Sequence, residues 1–265
     1  MSCIVVFDSG VGGLSVYQEI VKKCPNHDYV FVSDNQAFPY GTKSEAELIG
    51  RVLQVVQAIE KNYTPDLLVV ACNTASTVAL PSLRDKFDFP IVGVVPAIKP
   101  AAIKSKTKTI GLLATPGTIE RRYTQNLIDE FASECDVTKV GSSKLVEIAE
   151  KKLCGYSIDI EEIKGELMPF FDVKNIDILV LACTHFPLLN NEIESIMKLN
   201  HHNEIELIDS GLAIANRVAE LCPQMPVTQP QTKTTAAFTG EAASEGLIHF
   251  LSKIGFNHFA ELKVG

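Results

Sequence analysis

The sequence lacks any apolar run of the roughly 20 residues that are needed to cross a bilayer. The N-terminal stretch MSCIVVFDSG also lacks a basic flank, and its apolar run is too short for a signal peptide. These two absences exclude the usual signatures of membrane-spanning and exported proteins. We therefore expect a cytoplasmic protein with no membrane partner.

An excess of positive charge is missing as well. The formal net charge is −8, and the lysines and arginines form no basic stripe. Nucleic acid is therefore not expected as the main partner, because nucleic-acid binding surfaces are usually basic. A small anionic substrate stays compatible with this charge, since a single site can be locally positive.

C-x-x-C motifs are absent, although the chain contains seven cysteines. The number is odd, no two have C-x-x-C spacing, and no export signal is present, so a disulfide framework is not expected. Most of these thiols should be buried or exposed without chemistry, the usual fate of a free cysteine. They are Cys3, Cys24, Cys72, Cys135, Cys154, Cys183 and Cys222.

Short β-branched runs alternate with helical patterns along the chain. The clearest helix is 44–62, in which Ser44 and Glu47 form a capping box ahead of an apolar stripe. Several strands are apolar without alternation, as is typical of strands buried on both faces of a parallel sheet. The pattern predicts an α/β fold with mostly parallel sheets. The predicted strands are 3–7, 29–33, 66–71, 90–95, 108–114, 177–182, 204–208 and 235–239.

Two segments of the chain also resemble each other. CIVVFDSGVGG at the start and KTIGLLATPGT from residue 108 both read as a strand, a polar residue, a glycine-containing turn and a helix. We therefore predict two similar α/β lobes with the active site in the cleft between them. The first lobe comprises 1–95 plus 209–265, and the second comprises 96–208.

A doubled cysteine motif is the most informative feature. LVVACNTAS (68–76) and LVLACTHFP (179–187) share Leu-Val-x-Ala-Cys, and each cysteine ends a strand just before a helix. Ligands of parallel sheets bind at such strand ends, and a helix N-terminus lowers the pKa of a thiol. Either cysteine alone is typical of a buried residue that closes a strand. The matched contexts favour Cys72 and Cys183 as a reactive pair.

Each cysteine has a candidate proton partner. Asp8 ends the first strand and can reach the same crevice as Cys72, whereas His185 lies two residues after Cys183. A carboxylate and an imidazole are groups that hold or shuttle protons. Helix capping by Asp8 and a surface position for His185 are the structural alternatives, and capping does not exclude chemistry.

The glycines of DSGVGGLS (8–15) only partly match a dinucleotide loop. Gly10 and Gly12 fit G-x-G-x-x-G, but Ser15 occupies the third glycine position, and no G-x-x-x-x-G-K-[ST] occurs. We interpret these glycines as allowing backbone amides to approach a small anion. FPYG (38–41) has the same character, since Pro39 and Gly41 shape a turn whose amides can point inward.

Polar residues flank these motifs. Asn73 and Thr74 follow the first cysteine, Thr184 follows the second, and Ser9 follows Asp8. Helix capping is their ordinary role, and they would also line any crevice that contains the cysteines. Glu147, in KLVEIAE, taken alone is typical of a solvated helix face.

FDSGVGGLSV, PYG, ACNTAS and LACTHFPLL, in this order and spacing, resemble the glutamate racemases of the aspartate/glutamate racemase superfamily along nearly the whole chain. Many members carry Ala-Arg before Pro-Tyr-Gly, whereas this chain has Gln36, Ala37 and Phe38. The resemblance implies a cofactor-independent, metal-free interconversion of L- and D-glutamate, which supplies D-glutamate for peptidoglycan, by a homodimer.

The resemblance also implies roles for individual residues. Cys72 would take the α-proton of D-glutamate with the help of Asp8, and Cys183 that of L-glutamate with the help of His185. Glu147 matches a glutamate near the family's active site. The expected substrate contacts are Asp8, Ser9, Tyr40, Gly41, Asn73, Thr74, Thr115, Thr118, Thr184 and His185.

Four alternatives remain open at this point. The nearest is an aspartate racemase with the same chemistry. A cysteine hydrolase could pair Cys72 or Cys183 with His185, but it leaves the second cysteine motif unexplained. A zinc site built from the same three residues would lack the spacing of structural zinc sites. A binding protein with two α/β lobes around an amino acid is the last.

Overall fold

The structure is a computed structural model that describes residues 3–200, 204–222 and 233–265. Within these ranges, strands and helices alternate and the strands form two sheets in which every pair is parallel. The predicted α/β class with two mostly parallel sheets is confirmed. The strands are β1 (Cys3–Asp8), β2 (Asp28–Ser33), β3 (Leu67–Val70), β4 (Ile91–Gly93), β5 (Thr109–Ala114), β6 (Asp136–Gly141), β7 (Ile178–Leu181), β8 (Glu206–Ile208), β9 (Thr234–Phe238) and β10 (His258–Glu261).

Helices cover both sheets, as parallel sheets require. In the described ranges, three short 3₁₀ turns accompany them, at Asn35–Ala37, Tyr40–Thr42 and Phe186–Leu189. The helices are α1 (Leu14–Lys23), α2 (Glu45–Tyr63), α3 (Asn73–Lys86), α4 (Ile98–Lys104), α5 (Pro116–Glu120), α6 (Arg122–Phe131), α7 (Lys144–Leu153), α8 (Ile160–Phe171), α9 (Asn190–Leu199), α10 (Gly211–Leu221) and α11 (Glu245–Lys253).

The two sheets divide the chain into two parts. The order β10-β9-β2-β1-β3-β4 forms a six-stranded sheet, and β6-β5-β7-β8 forms a four-stranded sheet. We call the first sheet with the helices that directly follow its strands the first half, and the second sheet with its helices the second half. The lobe boundaries at 95/96 and 208/209 stay a prediction, and residues 1–2, 201–203 and 223–232 of those lobes lie outside the described residues.

The predicted helix and strands are where the pattern placed them. Helix α2 starts after Ser44, whose hydroxyl accepts the backbone N–H of Glu47 at 3.4 Å. The apolar stripe of α2 is buried, from Leu48 to Ile59. All eight predicted strands coincide with observed ones to within a few residues. Burial of these apolar stripes is the main driving force for the fold, at about 25 cal/mol per Å² of apolar surface.

Two edge strands, β6 and β10, were not predicted. The four residues of β10 are all exposed, and β6 has a single buried residue, Val140. An edge strand is paired on one side and needs no continuous apolar run, so hydrophobic patterning gives no signal for it. In the described part of the chain, no helix combines the length and the apolarity that a bilayer-spanning segment requires.

Candidate active site

A pocket lies between the two halves, at the carboxyl ends of their strands. Cys72 follows β3 and Cys183 follows β7, so equivalent positions of the two sheets each bring one thiol to the same cavity. Of the predicted site residues, Thr118 alone is not part of the lining that the described residues form. The lining residues are Asp8, Ser9, Phe38, Pro39, Tyr40, Gly41, Cys72, Asn73, Thr74, Thr115, Ser143, Val146, Glu147, Cys183, Thr184 and His185.

Cys72 and Asp8 form a buried pair on the side of the first half. The Asp8 carboxylate accepts the backbone N–H groups of Ser9 and Gly13, both at 2.7 Å, which fixes it at the entry to α1. The Ser9 hydroxyl lies 3.5 Å from Asp8 Oδ1 and 3.7 Å from Cys72 Sγ, between the two acidic groups. This geometry lets Ser9 relay a proton between the thiol and the carboxylate.

The electrostatics of this pair differ from the expectation for a helix N-terminus. Burial first, and the Asp8 charge second, raise the pKa of Cys72 well above its usual value, although the backbone N–H of Ala75 opposes the shift. Burial also raises the pKa of Asp8, opposed by His185 and by the Gly13 and Ser9 amides. The expected lowering of the Cys72 pKa is therefore wrong, because desolvation outweighs the helix terminus here. Cys72 holds its proton as a thiol.

Cys183 has its own chain of partners on the opposite side. Its sulfur lies 3.7 Å from His185 Nδ1, and His185 Nε2 lies 2.7 Å from Glu150 Oε1. Burial opposes charge on the imidazole, but the hydrogen bonds to Cys183 and Glu150 raise the pKa of His185 well above its usual value. A charged imidazolium beside Cys183 is positioned to donate a hydrogen bond to a thiolate.

Glu150 was missed by sequence reasoning, which singled out Glu147. Both residues lie on α7, but Glu147 is exposed and lines the cavity, whereas Glu150 contacts His185 and accepts the Val11 N–H at 2.8 Å. No local signal separates the two glutamates, because their positions depend on how α7 packs against the loop before α1. The role predicted for Glu147 stays a prediction.

The glycines before α1 make room for the second half. A Cβ at Gly12 would lie 2.4 Å from His185 Nδ1, and one at Gly10 would lie 2.3 Å from Glu150 Oε1. Both distances are far shorter than a van der Waals contact. The interpretation of these glycines as a binding loop for a small anion stays a prediction. The anions that the loop amides approach are the carboxylates of Asp8 and Glu150.

Threonine hydroxyls join the two halves beneath the pocket. Thr74 Oγ1 lies 3.1 Å from Thr115 Oγ1 and 3.3 Å from Thr118 Oγ1, and the last two are 3.0 Å apart. Thr118 is therefore a supporting residue behind the wall that Thr74 and Thr115 form. Asn73 lines the cavity, and its buried Oδ1 has no hydrogen-bond partner among the described residues, so it remains open to a ligand.

Tyr40 is anchored by a buried ion pair. Its hydroxyl donates to Asp34 Oδ2 at 2.5 Å, and Arg51 binds both oxygens of Asp34 at 2.6 and 2.9 Å. Thr239, after β9, also donates to Asp34 at 2.5 Å. The Tyr40 hydroxyl thus points away from the cavity, which leaves its ring and the neighbouring Gly41 backbone to form the wall. No cluster of three or more His, Cys, Asp or Glu residues suited to a metal ion occurs in 3–200, 204–222 and 233–265.

Comparison with known proteins agrees with this geometry. Residues 4–218 match the family described as Asp/Glu/Hydantoin racemase. The chain is 47% identical to a glutamate racemase of Escherichia coli O7:K1 over 98% of the chain and 91% of the relative. It is 48% identical to a glutamate racemase of Klebsiella pneumoniae over 96% of the chain and 89% of the relative.

Solved structures show the same relationship. A crystal structure of Escherichia coli glutamate racemase in complex with L-glutamate and the activator UDP-MurNAc-ala superposes with a TM-score of 0.91. That protein is 46% identical to this one, and the match covers 100% of this chain and 99% of the other. The resemblance drawn from the doubled cysteine motif is confirmed, and the chain belongs to the Asp/Glu/Hydantoin racemase family.

Proposed function

We propose that this chain interconverts L- and D-glutamate without a cofactor, with Cys72 and Cys183 as the two acid/base residues. The observation that carries the proposal is that both thiols line one cavity from different halves, each with its own proton partner. The glutamate racemases to which the chain is similar support glutamate as the substrate.

Racemisation requires a proton to leave one face of Cα and another to reach the opposite face. Two bases on opposite sides achieve this without turning the substrate. One cysteine must then be a thiolate while the other is a thiol, so the two titrate as a coupled pair. The raised pKa of Cys72 favours a thiol on the first half. Cys183, whose sulfur lies 3.7 Å from His185 Nδ1, is then the base that deprotonates L-glutamate.

The reverse direction needs the opposite protonation state. Asp8 can accept the Cys72 proton through Ser9, because burial raises the pKa of Asp8 and so makes its carboxylate a stronger base. The Cys72 thiolate then takes the α-proton of D-glutamate, and Cys183, which receives a proton from the imidazolium of His185, delivers it to the other face. Each unit by which the pKa of the Cα–H group exceeds that of the thiol adds about 1.4 kcal/mol to the free energy of the proton transfer.

The carbanion must therefore be stabilised by the pocket itself. Asn73 and Thr184 line the cavity at the starts of helices, and in this proposal the Asn73 amide N–H, the Thr184 hydroxyl and nearby backbone N–H groups would bind the α-carboxylate, where negative charge grows in the transition state. Most of the lining is buried, and excluding water strengthens each of these contacts. We infer that the product D-glutamate serves peptidoglycan synthesis, and that the protein is a cytoplasmic homodimer, from the family resemblance.

Circular dichroism of pure enantiomers tests the proposal. Purified protein, dialysed against a chelator, should erase the signals of L- and D-glutamate and leave those of L- and D-aspartate nearly unchanged. In heavy water, both glutamate enantiomers should gain deuterium at Cα. Faster racemisation of aspartate would make the chain an aspartate racemase, and activity that is lost on chelation and restored by metal would reject the cofactor-free mechanism.

A further inference from the structure

The charge of the pocket wall does not match its proposed substrate. Glutamate carries two carboxylates and one ammonium, and so has a net charge of −1. Among the described residues, the cavity lining includes no lysine or arginine, whereas Asp8 and Glu147 add carboxylates and His185 is committed to Glu150. Neutral donors can bind carboxylates, but binding an anion in a buried site is much stronger when a positive charge lies nearby.

Arg121 is a buried cation directly behind this wall. It lies between α5 and α6 of the second half, with 7% of its surface exposed. Its Nη1 donates to the backbone carbonyl of Thr74 at 3.0 Å and to Thr77 Oγ1 at 3.4 Å. Both acceptors belong to the first two turns of α3, in the first half. The guanidinium therefore bridges the halves at the turn that carries Asn73 and Thr74 into the pocket.

The charge of Arg121 is poorly compensated by the protein. Its carboxylate partner, Glu45, lies 3.8 Å from Nε, and the side chain of Glu45 is 65% exposed. Exposed ion pairs contribute little, so most of the field of the buried guanidinium is available to other anions. Burial lowers the pKa of Arg121, and the Glu45 charge opposes this, but an arginine stays protonated in proteins.

We propose that Arg121 is a positioning residue for substrate binding, whose charge attracts a substrate carboxylate through the first turn of α3. The inference rests on the proposed function. Its hydrogen bonds to Thr74 and Thr77 hold that turn, with Asn73 and Cys72 beside it, against the second half. Arg121 thus supplies, from behind the wall, a positive charge in addition to that of His185, which is paired with Glu150.

Steady-state kinetics of three variants test this role. Arg121→Gln removes the charge, Arg121→Lys keeps it without the planar fork, and Arg122→Gln removes the charge of the exposed neighbour. We expect Arg121→Gln to raise KM for both enantiomers about tenfold or more, with a smaller change in kcat, because the variant removes a buried charge that is hydrogen-bonded to the turn carrying Asn73 and Thr74. Arg121→Lys should recover most of the affinity, and Arg122→Gln should leave KM unchanged.

Because L- and D-glutamate have equal free energies in water, kcat/KM must fall equally in both directions, which provides an internal check. A KM for Arg121→Gln within twofold of the parent, even with a lower Tm, would reduce Arg121 to a structural residue and overturn the proposal. An equal increase in Arg122→Gln would also overturn it, as a general effect of net charge.

If Arg121→Gln does not fold, a variant at Glu45 provides a separate test. Glu45→Gln leaves the guanidinium in place without its carboxylate partner, so KM should stay constant or fall, and an increase would contradict the proposal. A parent protein that does not racemise glutamate would instead disprove the proposed function, which is a distinguishable result.

Discussion

Glu150 Oε1 lies 2.7 Å from His185 Nε2 and accepts the backbone N–H of Val11 at 2.8 Å. One carboxylate oxygen thus ties together α7, the loop after Cys183 and the glycine loop before α1. The contact sets the charge state of His185, because the carboxylate stabilises the imidazolium against the cost of burial. Glu150 therefore acts on Cys183 through His185.

Replacing Glu150 with glutamine should weaken catalysis most at high pH. The carboxylate keeps the pKa of His185 above its usual value, so Glu150→Gln should move the alkaline limb of the kcat/KM profile to lower pH. Loss of a hydrogen bond to a charged group, at about 1.5–3 kcal/mol, should lower kcat/KM about tenfold to a hundredfold. Glu147→Gln, on the same helix, should leave that limb in place. An unchanged limb in Glu150→Gln would show that the charge on His185 is not used.

The same substitution should change stability with a definite sign. A histidine whose folded pKa is raised stabilises the protein below its unfolded pKa, about 6.5, and loses this contribution as pH rises through the folded value. The free energy of unfolding of the parent should therefore exceed that of Glu150→Gln most at acidic pH, and the difference should shrink at alkaline pH. Urea unfolding between these limits measures it.

Gly12 should tolerate no side chain. A Cβ there would lie 2.4 Å from His185 Nδ1, so Gly12→Ala must displace the imidazole from Cys183. Since misplacement by about 1 Å can cost a hundredfold in rate, we expect a loss in kcat/KM on that order. Gly50→Ala is the matched control, because Gly50 is an exposed position of α2 and no atom outside its own stretch of helix would lie within 4 Å of the added Cβ. It should stabilise the protein by about 0.5–1 kcal/mol without altering kinetics. Parental kinetics in Gly12→Ala would contradict this reading of the loop.

The success and failure of sequence reasoning have a common physical origin. Cys72 and Cys183 could be predicted because strand, thiol and helix start are consecutive in the chain, so a local motif carries the whole placement. Glu150 could not be predicted, because its function depends on α7 meeting a loop 139 residues earlier in the chain. The same holds for Arg121, whose acceptors lie on α3.

The raised pKa of Cys72 illustrates the limit further. The helix N-terminus and the neighbouring Asp8 were both visible in the sequence, but the depth of burial, which is the largest cause of the shift, was not. Exposed strands such as β10 were not predicted because they bury too few residues to produce an apolar pattern in the sequence. Local motifs therefore predict the position of a side chain such as Cys72 in the fold, whereas tertiary packing determines its pKa.

Isotope exchange should distinguish the roles of the two cysteines. Cys183→Ala keeps Cys72, which should still wash deuterium from heavy water into D-glutamate but not into L-glutamate. Cys72→Ala should show the opposite pattern. In both variants racemisation should fall by at least about a hundredfold, because one acid/base group is missing. Proton NMR of Cα–H and circular dichroism measure exchange and racemisation separately. Exchange of the opposite enantiomers would reverse the assigned faces, and racemisation at the parental rate would remove the cysteines from the mechanism.

Asp34 should control acid stability and the shape of the pocket wall. Burial raises the pKa of Asp34, but hydrogen bonds from Arg51, Thr239 and Tyr40 outweigh it and hold the pKa below its usual value. A carboxyl with a lowered folded pKa stabilises the protein above its unfolded pKa, about 3.9, and loses this as pH falls through the folded value. Unfolding monitored below pH 4 should therefore show a steep loss of stability in the parent that is reduced in Asp34→Asn.

At neutral pH, Asp34→Asn should lower the free energy of unfolding by about 3–5 kcal/mol, because it leaves the guanidinium of Arg51 without its buried partner. Asp85→Asn, which alters an exposed carboxylate on α3, should change it by less than about 0.5 kcal/mol. Because Tyr40 loses its anchor, kcat/KM of Asp34→Asn should also fall under conditions where the variant is fully folded. Parental kinetics together with reduced stability would show that the ion pair supports the fold without shaping the wall at Tyr40 and Gly41.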